Sequence, residues 1–244
     1  NYSNANGSVS YAYNFSDSLI FRSNIGSAWR PPSINELYSN GLHHGSASLE
    51  YGAQNLNSEQ VYNLNTSLEK KWKKVEISTQ LYANYFENYI YLAPTGESEL
   101  TIRGAFPVYQ FEQIKAWLNG WDFEADIHLT KNFDFEFGTS ILREKNQTDN
   151  EFLWGMPSDE VKASLSYSPN IGKHFKKTNF RLNSTHTTKQ KRFHSNADFV
   201  NPPSAYTLFN FEAYTVLNIK TPLTFYFNIN NLLNNAYRDY LNRF

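Results

Sequence analysis

Two adjacent histidines, His43 and His44, are the side chains of this sequence best suited to binding a metal. Imidazole is a common metal ligand near neutral pH, and the G-L-H-H-G setting favours exposure of both rings. Zinc prefers four ligands, so the pair supplies half a site. Four further side chains could complete it: Glu36, Glu50, His186 and His194. The alternative, which we expect more often for such a pair, is a loop in which both histidines make only structural hydrogen bonds.

Aromatic and cationic side chains near predicted loop ends form a second group of candidates. Such rings could stack on a catecholate, a porphyrin or a sugar, and guanidinium groups bind carboxylate or phosphate bidentately. The aromatic members are Trp29, Tyr38, Tyr51, Tyr89, Tyr91, Phe106, Trp154, Phe193 and Tyr237, and the cationic members are Arg22, Arg30, Arg103 and Arg181. Their alternative roles are an aromatic girdle at a membrane interface and ion pairs with neighbouring strands. Trp29, Tyr38 and Tyr51 rank first because they share one long loop.

The sequence contains no recognisable catalytic centre. Gly-rich phosphate loops, nucleophile elbows and H-E-x-x-H motifs are all missing from it. The chain has no cysteine, which removes thiolate nucleophiles and disulfides. Its net charge of −1 gives no indication of a nucleic-acid partner. We therefore expect neither an enzyme nor a cofactor.

The strongest candidates lie in one segment, residues 29–60, which we expect to be a long, ordered, irregular loop. Pro31 and Pro32 cannot continue a sheet ladder because proline lacks the amide hydrogen. Structureless segments of this length are uncommon in compact domains and are usually functional or disordered. Aromatic residues, two histidines and three carboxylates are not a disordered composition.

The rest of the chain alternates apolar and polar residues over about ten strands, the first with Val9, Tyr11 and Tyr13 on one face. Turns alternate between short, as at 70–74, and long, with loops expected at 94–106, 144–156 and 193–203. Several strands reach the 9–11 residues or so that cross a bilayer. The minor face carries charge in mid-strand, at Arg22, Glu76, Glu124, Asp126, Glu136, Arg181 and Glu212. The pattern predicts an antiparallel up-and-down transmembrane β-barrel; a passive barrel or adhesin, or a soluble β-sandwich binding module, is the alternative.

Two motifs resemble those of TonB-dependent outer-membrane receptors. An R-x-P-x-x-x-E-L-[YF] stretch followed by N-L-x-x-E falls on Arg30, Pro32, Glu36, Leu37 and Tyr38, then on Asn55, Leu56 and Glu59. A late N-[LI]-x-[ND]-x-x-Y strand end is similar to the segment at Asn230, Asn231, Leu232, Asn235 and Tyr237. The resemblance spans essentially the whole chain.

The resemblance implies that residues 1–244 are the C-terminal half of a 22-stranded barrel, with the plug, the TonB-contacting box and the final strand outside this sequence. It implies an importer of a scarce nutrient in the bacterial outer membrane, by default a ferric siderophore or other metal chelate, with zinc, haem, cobalamin or a glycan as alternatives. The G-x-H-H-G variant resembles a subgroup that includes metal-uptake receptors. Expected partners are the nutrient, outer-membrane lipid, lipopolysaccharide near the basic run 189–192, and the TonB complex. The expected ligand-binding residues are Trp29, Arg30, Tyr38, His43, His44 and Tyr51, with His43 and His44 as metal ligands.

Overall fold

The computed structural model describes residues 5–193 and 201–242, which form an all-β structure with one short helix. The first elements are β1 (Gly7–Ser16), β2 (Leu19–Arg30), α1 (Ile34–Tyr38), β3 (Asn40–His43), β4 (Ser48–Tyr51) and β5 (Glu59–Lys71). The remaining strands are β6 (Val75–Thr101), β7 (Gly104–His128), β8 (Phe133–Asn146), β9 (Glu160–Tyr167), β10 (Phe175–Thr187), β11 (Tyr206–Leu217) and β12 (Leu223–Ile229).

Ten of these strands form one continuous sheet in the order β1-β2-β5-β6-β7-β8-β9-β10-β11-β12, and each is antiparallel to its neighbours. Short turns join β1 to β2, β5 to β6, β7 to β8, β9 to β10 and β11 to β12. The connections at the opposite end are longer, except that β6 and β7 are joined only by residues 102–103. The predicted up-and-down antiparallel architecture is confirmed, and short and long connections alternate as predicted everywhere except between β6 and β7. Within the described residues β1 and β12 do not pair with each other, so the sheet is not closed.

The two faces of the sheet differ in polarity, as the period of two residues along each strand requires. On one face Ile25, Leu64 and Ala83 lie side by side on β2, β5 and β6, and Leu64 is 44% exposed. The other face carries the charges predicted in mid-strand, including ion pairs between Arg22 and Glu69 and between Arg181 and Glu136. We call these the apolar face and the polar face. No helix in the described part of the chain is both long enough and apolar enough to cross a membrane.

Three predictions of irregular structure were wrong, wholly or in part. Segment 94–106 is not a loop, because β6 and β7 continue as one long hairpin whose tip is residues 102–103. Register shifts after Phe86 and Pro94, with positive φ at Asn88 (56°) and Gly96 (78°), let the ladder continue past the proline. Similarly, β8 runs on to Asn146, beyond the predicted loop start at residue 144. The segment 29–60 also contains regular structure, namely the end of β2, α1, the hairpin β3–β4 and the start of β5.

Candidate functional site

The helix α1 is a single turn that its own sequence caps. Ser33 is the N-cap, and its Oγ accepts a hydrogen bond from the Glu36 amide at 3.3 Å. The Glu36 carboxylate in turn accepts one from the Ser33 amide at 2.6 Å, which completes a capping box. Pro31 and Pro32 precede the N-cap, so the amide hydrogens that they lack are not needed for hydrogen bonds within the helix. These local preferences place Glu36 at a fixed position beside the end of β2.

Arg30 joins α1 to the sheet. Its Nη1 donates to Glu36 Oε2 at 2.9 Å, and its Nε and Nη2 each donate to a carboxylate oxygen of Glu59 at 3.2 Å. Glu59 Oε2 also accepts a hydrogen bond from the Ile90 amide at 2.8 Å, so β2, α1, β5 and β6 meet at this point. We call Arg30, Glu36 and Glu59 the clamp. The motif residues Arg30 and Glu36, predicted from sequence as ligand or metal contacts, are thus held in ion pairs with each other.

The clamp sets the protonation of Glu36, which lies outside the strands that could span a membrane. Burial by itself would raise the pKa of the Glu36 carboxyl, but hydrogen bonds from Arg30 and from the Ser33 amide oppose it. The net result is a pKa below the ordinary value of 4.5. Glu36 therefore carries its charge throughout the neutral range.

The hairpin β3–β4 folds onto the long β6–β7 hairpin. Strand β4 pairs in parallel with β7, where Leu49 lies opposite Val108, and Leu49 is buried. Tyr51 Oη donates to Glu99 Oε2 at 2.9 Å and fixes the far side of the hairpin to β6. Gly52 passes the end of α1 so closely that a Cβ there would lie 2.5 Å from the Leu37 carbonyl carbon. The hairpin is thereby a docked element of defined position.

The two histidines lie on this hairpin but face different partners. His43 Nδ1 is 2.8 Å from Ser46 Oγ and 3.9 Å from Glu50 Oε1, and its side chain is 60% exposed. His44 Nε2 is instead 3.5 Å from Arg103 Nη1, at the tip of the β6–β7 hairpin. Among the described residues no group of three or more histidine, cysteine, aspartate or glutamate side chains could hold a metal ion. Both histidines thus make polar contacts within the described residues, and metal binding by the pair stays a prediction.

A small cluster of apolar side chains, which we call the floor, lies beneath these elements on the polar face of the sheet. Loop 147–159 inserts Leu153, only 1% exposed, against Ile114 and Ala116 of β7. Partly buried side chains surround this contact: Phe86, Tyr89, Tyr91, Leu118 and Met156. Burial raises the pKa of both tyrosines, to about 12 for Tyr91, so their hydroxyls stay neutral donors. The sequence did not indicate Leu153 because its loop has no periodicity.

A charged cluster lies beside this floor, at the long-loop end of β8. Asp159 accepts hydrogen bonds from Arg143 at 2.6 and 2.8 Å and from Arg192 at 3.2 Å. Glu144 has a side chain only 1% exposed, its nearest cation is Arg192 at 3.8 Å, and neither of its oxygens has a hydrogen-bond partner among the described residues. Burial raises the pKa of Glu144 to about 7, while Arg192 and Arg143 oppose the shift. Asp159, by contrast, has a lowered pKa because the hydrogen bonds and charges of both arginines outweigh its burial.

The structure brings together only part of the predicted set. We call α1, β3–β4, the outer part of the β6–β7 hairpin and loop 147–159 the mouth; Tyr38, His43, His44, Tyr51 and Arg103 all belong to it. Strand alternation puts Trp29 on the face opposite Arg30. His186 bonds Thr207 at the start of β11, and His194 lies outside the described residues. Of the other predicted aromatic residues, Trp154 packs on Tyr109 and Tyr237 on Tyr206, so both serve loop packing.

The chain is similar to a known protein family in sequence and to solved structures in fold. A family model described as "TonB dependent receptor-like, beta-barrel" matches residues 1–232. The structure is similar to a copper transporter named OprC, with a TM-score of 0.79 and 18% identity over 97% of this chain. It is also similar to the siderophore receptor PirA from Pseudomonas aeruginosa (TM-score 0.66, 13% identity, 95% of this chain) and to the FrpB iron transporter from Neisseria meningitidis (TM-score 0.67, 14% identity, 98% of this chain).

These similarities concern the fold, since the identities are low. The chain spans 34% of the length of the OprC chain, 39% of PirA and 36% of FrpB. No curated protein sequence matches it significantly.

Proposed function

Because the chain belongs to the TonB-dependent receptor β-barrel family, we propose that it forms part of the barrel wall and the ligand-facing mouth of an outer-membrane receptor. This receptor would import a scarce nutrient. The favoured nutrient is a ferric siderophore or another metal chelate. The apolar face would contact lipid, and the polar face would line the lumen. The plug and the TonB-contacting segment would belong to parts of the receptor outside this sequence.

The observation that carries the proposal is the docked mouth at the long-loop end of a two-faced sheet. A passive wall would need no capped helix, clamp or hairpin fixed by Tyr51 and Glu99. A receptor needs such features, because binding groups held before the ligand arrives cost less entropy to order. The exposed groups here are Tyr38, His43 and Arg103, an aromatic ring, an imidazole and a cation. Such groups suit an anionic, aromatic chelate better than an unchelated metal ion.

Solved structures of the same fold support a nutrient of this class. Their names describe a copper transporter, a siderophore receptor and an iron transporter. A bare metal ion is the weaker candidate here, since His43 and His44 engage different partners and the described residues assemble no group of three or more histidine, cysteine, aspartate or glutamate side chains.

The test is a ligand titration of the full-length receptor in detergent, followed by tryptophan fluorescence. The panel contains catecholate and hydroxamate ferric siderophores, haem, cobalamin and zinc chloride. We expect saturable binding of one chelate, weakened about tenfold or more in Tyr38→Ala with Arg103→Ala, since a ring contact and a charged hydrogen bond contribute about 1–3 kcal/mol together.

The matched control is Lys73→Ala with Lys74→Ala, a pair at the short turn between β5 and β6, which should bind as the unmutated receptor does. Saturable zinc binding that disappears in His43→Ala/His44→Ala would indicate that the ligand of this site is a metal ion and not a chelate. Absence of binding by every member of the panel, in a protein that remains in solution without detergent, would refute the receptor assignment.

A further inference from the structure

A second cavity system lies at the opposite end of the sheet, far along the strands from the mouth. Around the turn between β9 and β10, a polar cavity of about 560 Å³ is lined by Ser168, Asn170, Lys173, Lys176 and Lys177. Beside it, a groove of about 300 Å³ is lined mainly by apolar side chains, among them Ile171, Phe180, Phe225 and Phe227. Phe175 and Thr178 line both, so the two cavities adjoin.

The three lysines are available for a ligand. All three are exposed, and none takes part in an ion pair of the described residues. By contrast, Lys71 pairs with Glu76 at 2.7 Å and Lys162 pairs with Glu160 at 2.8 Å. The β9–β10 turn therefore concentrates three uncompensated positive charges at one cavity.

The backbone of β10 is distorted in a way that gathers these charges. Consecutive residues of a regular strand point to opposite faces, so Lys176 and Lys177 would normally diverge. The register shifts between Lys176 and Asn179, and Lys177 adopts a φ of +53°, a conformation that L-residues rarely adopt. As a result Lys176 and Lys177 both line the same cavity as Lys173.

We propose that this double cavity is a binding site for an anionic phospholipid, with the lipid phosphate against Lys173, Lys176 and Lys177 and an acyl chain along the groove at Phe175 and Phe180. The polar cavity offers ammonium, amide and hydroxyl donors but no carboxylate among its lining residues, which matches a phosphate. The adjoining groove is apolar and belongs to an exposed aromatic surface, with Phe175 42% and Phe180 37% exposed on β10, which is paired on both sides. A phospholipid combines these two features, because its glycerol backbone joins a phosphate to long acyl chains.

The site rests on the proposed membrane location, since the groove would then open into the leaflet on the short-turn side. The inference goes beyond nutrient uptake, because the lipid would be a structural ligand bound at the end of the wall opposite the mouth. Its expected consequence is a preference for anionic over zwitterionic lipid. Each basic residue near an anionic lipid surface strengthens binding roughly fivefold.

The experiment is native mass spectrometry of the detergent-solubilised full-length protein, titrated with phosphatidylglycerol or phosphatidylethanolamine of the same chain length. We expect phosphatidylglycerol to be retained at least about tenfold better. The triple variant Lys173→Ala/Lys176→Ala/Lys177→Ala should lose this preference. The matched control, Lys73→Ala/Lys74→Ala/Lys131→Ala, removes the same charge from two other short turns and should retain it within about twofold.

A second pair of variants tests the groove. Phe175→Ser should weaken retention of long-chain phosphatidylglycerol, whereas Ile219→Ser, at the turn between β11 and β12, should not. Inorganic phosphate in large excess should fail to displace the lipid. Equal loss in both lysine triples, full displacement by inorganic phosphate, or no preference between the lipids would each overturn the proposal. A protein that needs no detergent would instead refute the membrane location on which the site depends.

Discussion

Replacement of Arg30 by methionine should loosen the mouth while the wall remains intact. The substitution keeps the aliphatic length of the side chain and removes the three hydrogen bonds of the clamp. Glu36 and Glu59, whose side chains are only 13% and 12% exposed, would then lack their cation. Breaking a buried pair costs about 3–5 kcal/mol, but the Arg30 side chain is 42% exposed, so solvent screens part of the effect. We expect the local opening free energy to fall by about 2 kcal/mol.

Hydrogen exchange followed by mass spectrometry measures this loss directly. A decrease of about 2 kcal/mol corresponds to roughly 30-fold faster exchange, which should be confined to peptides covering residues 33–53. Those peptides include the amides of Gly52 and Ala53, which donate to Ser39 and Glu36 of the α1 region. Arg103→Met is the control, since within the described part of the chain the Arg103 guanidinium has only a 3.5 Å contact with His44.

The clamp also has a defined pH dependence. Because the folded pKa of Glu36 is lower than its ordinary value of 4.5, its contribution is complete above about pH 5 and is lost as the pH falls through the folded pKa. Exchange in residues 33–53, corrected for the intrinsic chemical rate, should therefore accelerate only in acid. An exchange rate in Arg30→Met within twofold of that in the unmutated protein would contradict the conclusion that the clamp stabilises residues 33–53. An equal acceleration in β8 and β9 would contradict it as well.

Three further outcomes follow from the same structure. Gly52→Ala should open the contact between α1 and β4, because the added Cβ would lie 2.5 Å from backbone atoms of Leu37. The rate of proteolysis within residues 33–53 should therefore increase severalfold. An unchanged digestion pattern would contradict this expectation. Glu144→Gln should stabilise loop 147–159 above pH 7 by about 3 kcal/mol and have no effect below pH 4.5, because burial raises the pKa of the native carboxyl from 4.5 to about 7. Exchange at pH 8 against pH 4.5 measures the difference, and a larger gain in acid would contradict this sign. His43→Ala/His44→Ala should leave zinc affinity unchanged within about twofold, as measured by calorimetry, since the two rings engage different partners.

The fold could be predicted from the sequence because alternate residues of a strand point to opposite faces of the sheet, and each face has its own polarity. Ile25, Leu64 and Ala83 lie on one face and Asn24 and Asn65 on the other, as the alternation predicted. The continuation of β6 past Pro94 was not accessible. It depends on bulges that re-register the hairpin with β7, and although Asn88 and Gly96 favour the positive φ that these bulges need, such residues are equally typical of loops.

The site was only partly accessible. The motif singled out Arg30 and Glu36, but the sequence did not reveal that they bind each other, because their contact depends on the turn that Ser33 caps. The docking of β3–β4 on β7 was missed because four-residue strands give little periodicity. Glu144 was likewise missed, since its burial results from loops that approach β8 from distant parts of the chain, including Arg192.

Cysteine accessibility along β5 tests the central claim, that this sheet is the wall of a membrane barrel with a wet polar face. The chain contains no cysteine, so single substitutions give a clean signal. In intact membranes, Asn65→Cys and Ser67→Cys should react with a membrane-impermeant maleimide, whereas Leu64→Cys and Leu68→Cys should react only after unfolding in hot detergent. Rapid labelling of Leu64→Cys and Leu68→Cys in the intact membrane would contradict the account, because it would place the apolar face in water.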